Sequence, residues 1–271
     1  MSLTHRIKTA IRLLSVPAAI LVLLSSATLN RAMAWGITWS DEFTGVNNQP
    51  WSGNWSYQTG PSTVNHEVET YVNSWAKAHV VSDGTGTDNQ ALQIEAQTDA
   101  QGHWYSARIN TFGKHTFGPG TYIEFRCKFP NAGAGYWPAG WTLGTQGGQW
   151  PACGEVDTAE EIDGQWENHQ SLHVPGWDPT TVRTVNQSTT TYHNYGAWWP
   201  ADTNSITFNV DGVNTATFSR GQGGTWEFNS NQQEYIILNL AIGGVGSWPG
   251  PTNGSTKNNG NFDIDYVRQY N

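Results

Sequence analysis

Between Thr121 and Phe129 the chain alternates without a slip. Ile123, Phe125, Cys127 and Phe129 fall on one side, and Tyr122, Glu124, Arg126 and Lys128 on the other. A period of two is the spacing of a strand with one buried face. Similar runs predict strands at 91–96, 205–210, 235–242 and 262–270. In the third of these, Ile236, Leu238, Leu240 and Ile242 face one way and leave Asn239 on the opposite side. Asp211-Gly212 directly follows the second, and that dipeptide is a two-residue hairpin signal. No stretch after residue 34 keeps a helical apolar period for three turns, and Gly, Pro and Asn turns punctuate the short strands. The pattern predicts an all-β sandwich or jelly roll of antiparallel sheets, in one domain spanning 35–271.

The first 34 residues follow a different rule. Arg6, Lys8 and Arg12 precede an apolar run around residues 18–24, and Ala32-Met33-Ala34 fits a small-x-small cleavage site. The run is shorter than the ~20 residues of a membrane span and is preceded by Pro17. Residues 1–34 are therefore expected to be a secretory signal, leaving a secreted chain that starts near Trp35 and has no membrane anchor. Loss of Arg6, Lys8, Arg12 and Arg31 takes the formal charge from −9 to −13. That balance argues against a nucleic-acid partner and mildly favours a neutral substrate. The 15 Trp residues exclude a disordered chain, and 13% charged residues exclude a coiled coil. A secreted chain with two cysteines invites a disulfide. The strand pattern opposes it, setting Cys127 on the core side and Cys153 on the side of Glu155.

The chemistry is concentrated at Glu155-Val-Asp157-Thr-Ala-Glu160. Glu155 and Asp157, two apart, share a strand face. Glu160, five residues on, belongs to the other face unless one inserted residue forms a β-bulge and makes it effectively the fourth. Four steps of ~3.3 Å separate the Cα atoms by roughly 13 Å. Side chains reaching inward then leave the carboxyls about 5 Å apart, the spacing of a retaining glycosidase. Without a bulge, Glu161 takes that place. Crowded carboxylates raise one another's pKa, which keeps an acid protonated near neutrality. A solvated acidic face or a calcium site is the competing role for the same residues.

The segment Glu155-x-Asp157-x-x-Glu160 resembles the bulged active-site motif of glycoside hydrolase family 16, and Trp150-Pro-Ala-Cys-Gly154 is similar to its laminarinase branch. Trp39-Ser-Asp-Glu-Phe43, Asn65-x-Glu67-x-x-x-Tyr71, Ser106-Ala-Arg108-Ile109, Gly135-Tyr-Trp-Pro-Ala139, Asn239-Leu-Ala-Ile-Gly-Gly244 and Asp265-Tyr-Val-Arg268 extend the likeness in order along the chain. The resemblance implies a jelly roll whose concave sheet forms an open cleft. It implies a monomeric, retaining endo-β-glucanase acting on β-1,3 or mixed β-1,3/1,4 linkages of a neutral polysaccharide. It implies Glu155 as nucleophile, Glu160 as general acid/base and Asp157 as the residue between them.

Asn65, Arg108, Trp137, Trp141, Trp150, His173 and Asn239 are candidate sugar contacts, with core packing or surface roles competing for each. Glu42 and Asp265 match places where the family binds a structural calcium, and no catalytic cofactor is implied. Ala159, Glu161, Tyr136, Gly140 and Thr142 depart from bulkier or aromatic family choices, so linkage preference stays open. Another polysaccharide, glycan transfer instead of hydrolysis, and a non-catalytic lectin-like module are the alternatives.

Overall fold

The alternating segments pair into two sheets. The computed structural model describes residues 35–45, 53–83, 86–146, 148–162, 167–176, 180–184, 191–221 and 231–271. The expected signal segment, 1–34, lies outside the described residues. The described residues form eighteen strands and no helix.

The larger sheet takes β1 (Ile37–Asp41), β3 (Gly60–Pro61), β4 (Glu69–Tyr71), β5 (Ala78–Ser82), β6 (Gln90–Thr98), β7 (Trp104–Ser106), β9 (Thr121–Lys128), β14 (His193–Trp199), β15 (Ser205–Val210), β16 (Val213–Ser219) and β18 (Asn259–Tyr270). The smaller takes β2 (Ser56–Gln58), β8 (Arg108–Asn110), β10 (Tyr136–Gly144), β11 (Glu155–Glu160), β12 (Asn168–His173), β13 (Thr180–Thr184) and β17 (Glu234–Ile242). Its order is β13-β12-β11-β10-β17-β8-β2, antiparallel throughout. In the larger sheet only β4 and β7 pair in parallel.

The core forms where the apolar faces meet. Ile123, Phe125 and Cys127 of β9 and Ile236, Leu238, Leu240 and Ile242 of β17 belong to one buried cluster. Each such Ile, Leu or Phe contributes about 1.5–3 kcal/mol by leaving water. The departure at Gly140 has a packing reason, because a Cβ there would lie 2.9 Å from the Phe125 ring. Asp211 and Gly212 turn the β15–β16 hairpin with φ of 50° and 76°, the two positive angles of a type I′ turn. Both cysteines are buried and free. Cys127 belongs to the central cluster and Cys153 does not; Cys153 lies in the turn before β11, where Gly154 at φ 82° breaks the strand alternation.

Candidate active site

The register of β10 against β11 decides which carboxylates meet. Trp141 pairs with Asp157 and Gly140 with Ala159, so Thr158 is the extra residue of a bulge. Leu143, Trp141 and Ala139 stand opposite Glu155, Asp157 and Glu160, which puts the three carboxylates on one face. Val156 and Ala159 join the core instead. Glu161 is fully buried, and its charge acts on Cys127 and Tyr195 of the core side.

A bulge leaves backbone groups without ladder partners. Here side chains from the next strand supply them. Pairing of β11 with β12 ends at Asp157–Ser171. Beyond it, the Thr158 carbonyl accepts from Asn168 Nδ2 at 3.4 Å and Gln170 Nε2 at 3.2 Å, and the Glu160 amide donates to Asn168 Oδ1 at 2.9 Å.

The three carboxylates open into a cavity of about 310 Å³, also lined by Asn65, Glu67, Arg108, Trp137, Trp141, Trp150 and Asn239. His173 Nε2 lies 3.0 Å from Asp157 Oδ2 and 3.7 Å from Glu155 Oε1. Trp137 Nε1 donates to Glu160 Oε1 at 2.8 Å, and Trp141 Nε1 donates to Asn239 Oδ1 at 2.8 Å. The Arg108 guanidinium stacks over the Trp141 ring at 4.9 Å. Trp150 is half exposed, with its ring 5.6 Å from that of His173. All seven candidate sugar contacts are thus gathered at the site, six lining the cavity and His173 behind two of its carboxylates.

Burial, then the charge of Asp157, pushes the Glu160 pKa up to about 8, against the Trp137 hydrogen bond and His173. Burial and the charges of Asp157 and Glu160 push Glu155 upward as well, while His173 and Arg108 pull it back. The arrangement can hold a proton on one carboxyl and negative charge on its neighbours, the division acid–base chemistry needs.

The calcium expectation fares differently. Glu42 takes two hydrogen bonds from Arg268, at 2.9 and 2.7 Å. Asp265 accepts from Arg126 Nε at 2.8 Å and from the Thr87 amide at 3.0 Å. Each carboxylate is neutralised by its own arginine, so the residues present do not fit an ion shared between them. The partner arginines depend on cross-strand register, which composition and spacing do not reveal.

Glu67 and Tyr71 belong to a segment that extends the family likeness, but the motif alone gave neither a role. Glu67 lines the cavity, and Tyr71 accepts from Asn239 Nδ2 at 3.2 Å. The signal available was the period-two spacing of Glu67, Glu69 and Tyr71.

A two-sheet sandwich with paired carboxyls on one strand is the framework of a glycoside hydrolase. The chain belongs to the glycosyl hydrolases family 16, whose model matches residues 67–268. Among curated relatives, the keratan-sulfate endo-1,4-beta-galactosidase of Sphingobacterium multivorum is 29% identical over 91% of this chain, which spans 58% of that protein. The beta-glucanase of Rhodothermus marinus is 27% identical, covering 92% of this chain and 89% of the relative. Among solved structures, the endo-beta-1,3-glucanase of Pyrococcus furiosus superposes with a TM-score of 0.73 at 31% identity, over 87% of this chain and 94% of that one. The endo-1,3-beta-glucanase of Streptomyces sioyaensis gives 0.77 at 28% identity, over 87% and 96%.

Proposed function

We propose that the protein is a secreted endo-β-glucanase that hydrolyses internal β-1,3 linkages of a neutral glucan with retention of configuration. The observation that carries the reading is the Thr158 bulge, which turns Glu155, Asp157 and Glu160 to one cavity wall. Glu160, protonated, gives its proton to the departing glycosidic oxygen while the Glu155 carboxylate attacks the anomeric carbon. Asp157, 3.0 Å from His173, stands between the two and tunes their charge. Water then attacks the glycosyl-enzyme, with Glu160 as base. The linkage follows the endo-1,3-glucanase relatives and the Trp150–Gly154 segment. The relative acting on keratan sulfate makes a sulfated galactan the second reading, which the acidic balance of the chain disfavours.

Release of reducing ends from laminarin tests the activity; cleavage of a sulfated galactan with none of laminarin overturns it. Azide tests the roles. With an activated β-glucoside, Glu155→Ala is expected to yield an α-glycosyl azide and Glu160→Ala a β-glycosyl azide. The opposite anomers would exchange the two assignments. Secretion predicts a mature N-terminus at Trp35, checked by sequencing the exported protein.

A further inference from the structure

A second carboxyl pair stands at the same cavity, on a different element. Glu67 is half-buried and lines the cavity, while Glu69 is 1% exposed behind it. Ser62 Oγ donates to Glu67 Oε2 at 2.6 Å, and Tyr71 Oη and Asn65 Nδ2 donate to Glu67 at 3.4 Å each. Glu69 Oε2 accepts the Ile242 amide at 2.7 Å, and its Oε1 has no other hydrogen-bond partner among the described residues. The two carboxyls are close enough for a hydrogen bond between them. Two carboxylates in such contact hold one proton between them. It belongs to Glu69, which burial first, and the Glu67 charge second, push up to about 8. Glu67 is the member of the pair that faces the cavity.

Tyr71 ties this pair to the sugar-binding floor. Its hydroxyl accepts from Asn239, and Asn239 in turn accepts from Trp141, over which Arg108 stacks. Arg108 forms no ion pair among the described residues, and its Nε is buried without a hydrogen-bond partner. The cavity thus holds Glu67 as a hydrogen-bond acceptor and Arg108 as a donor.

On the glucanase reading above, we infer that Glu67 is a specificity-determining residue that accepts hydroxyl hydrogens of an unsubstituted sugar and rejects anionic substituents such as sulfate, with Glu69 as its positioning residue. A sulfate brought beside the Glu67 carboxylate meets like charge and has no hydroxyl hydrogen to give. With Glu67 neutralised, that repulsion is lost.

The experiment compares kcat/KM on laminarin and on partly sulfated laminarin. Glu67→Gln is expected to raise the sulfated-to-neutral ratio roughly tenfold, with KM for laminarin rising more than kcat falls. An unchanged ratio in folded Glu67→Gln overturns the inference. Glu69→Gln is expected to keep the wild-type ratio, because its amide N–H replaces the shared proton. Glu69→Ala, which frees Glu67, is expected to weaken discrimination. A ratio altered in Glu69→Gln as much as in Glu69→Ala would remove the positioning role. Wild-type protein inactive on laminarin would instead defeat the glucanase reading, so the two failures are distinct.

Discussion

Glu160 and Glu234 lie on strands of the same sheet, and both are pushed up to about 8, chiefly by burial. Their surroundings differ. Glu160 faces the cavity, accepts from Trp137, and sits on the face of two further carboxylates. Glu234 is fully buried, two residues ahead of Ile236 and on its core face. It accepts from the Thr142 hydroxyl, and its other oxygen has no hydrogen-bond partner among the described residues. One raised carboxyl can reach a substrate; the other, closed off from solvent, cannot. A raised pKa marks burial first, and chemistry only where reacting atoms have access.

The sharpest way to break this contrast is to remove each acid. Glu160→Gln should lower kcat by about 10²–10⁴ on a substrate that needs leaving-group protonation. Glu234→Gln should leave kcat within about twofold, the scatter of a site without contact to the reaction. Equal losses in steady-state assays would collapse the distinction. Activity should also fall as pH rises through about 8, because Glu160 must be protonated to act as acid. A profile flat to pH 10 would place the proton elsewhere.

A smaller effect concerns stability. Glu234 is neutral in the fold, so its contribution is complete below the ordinary 4.5 and is lost as pH rises through about 8. Across that window the cost is about 1.4 kcal/mol per unit of pH. Glu234→Gln, which cannot ionise, should therefore gain in melting temperature relative to wild type from pH 5 to pH 9. A constant difference in scanning calorimetry would show that Glu234 is not the titrating group. The smallest effect is expected at Glu161, which shares the core side with Glu234. Glu161→Gln should be nearly silent in kcat/KM, and loss of activity there with retention in Glu160→Gln would move the register by one.

These contrasts were partly legible in the sequence. Alternation exposed β9, β15, β17 and β18, and the five-residue separation of Glu155 and Glu160 required the bulge. Those are local signals. What supports the bulge is not local: Asn168 and Gln170 act through a register set by the whole sheet. The Arg268 partner of Glu42 is 226 positions away, which explains why a pair of carboxylates read as a calcium site. The contact between Glu67 and Glu69 was hidden for another reason. Their spacing shows a shared face, but only the fold shows that the face closes against Ile242.

The Thr158 bulge also limits how this strand can change length over evolution. Removing Thr158 would restore strict alternation and still present Glu155, Asp157 and Glu160 together, because a regular strand puts its first, third and fifth residues on one face. Removing Val156 would instead turn Asp157 inward and leave Glu155 alone before the break. A shortened relative therefore keeps the three together only if the deletion falls between Asp157 and Glu160, as loss of Thr158 does. It must also give Asn168 and Gln170 a new carbonyl to bind, so the lost residue and those two side chains should change together.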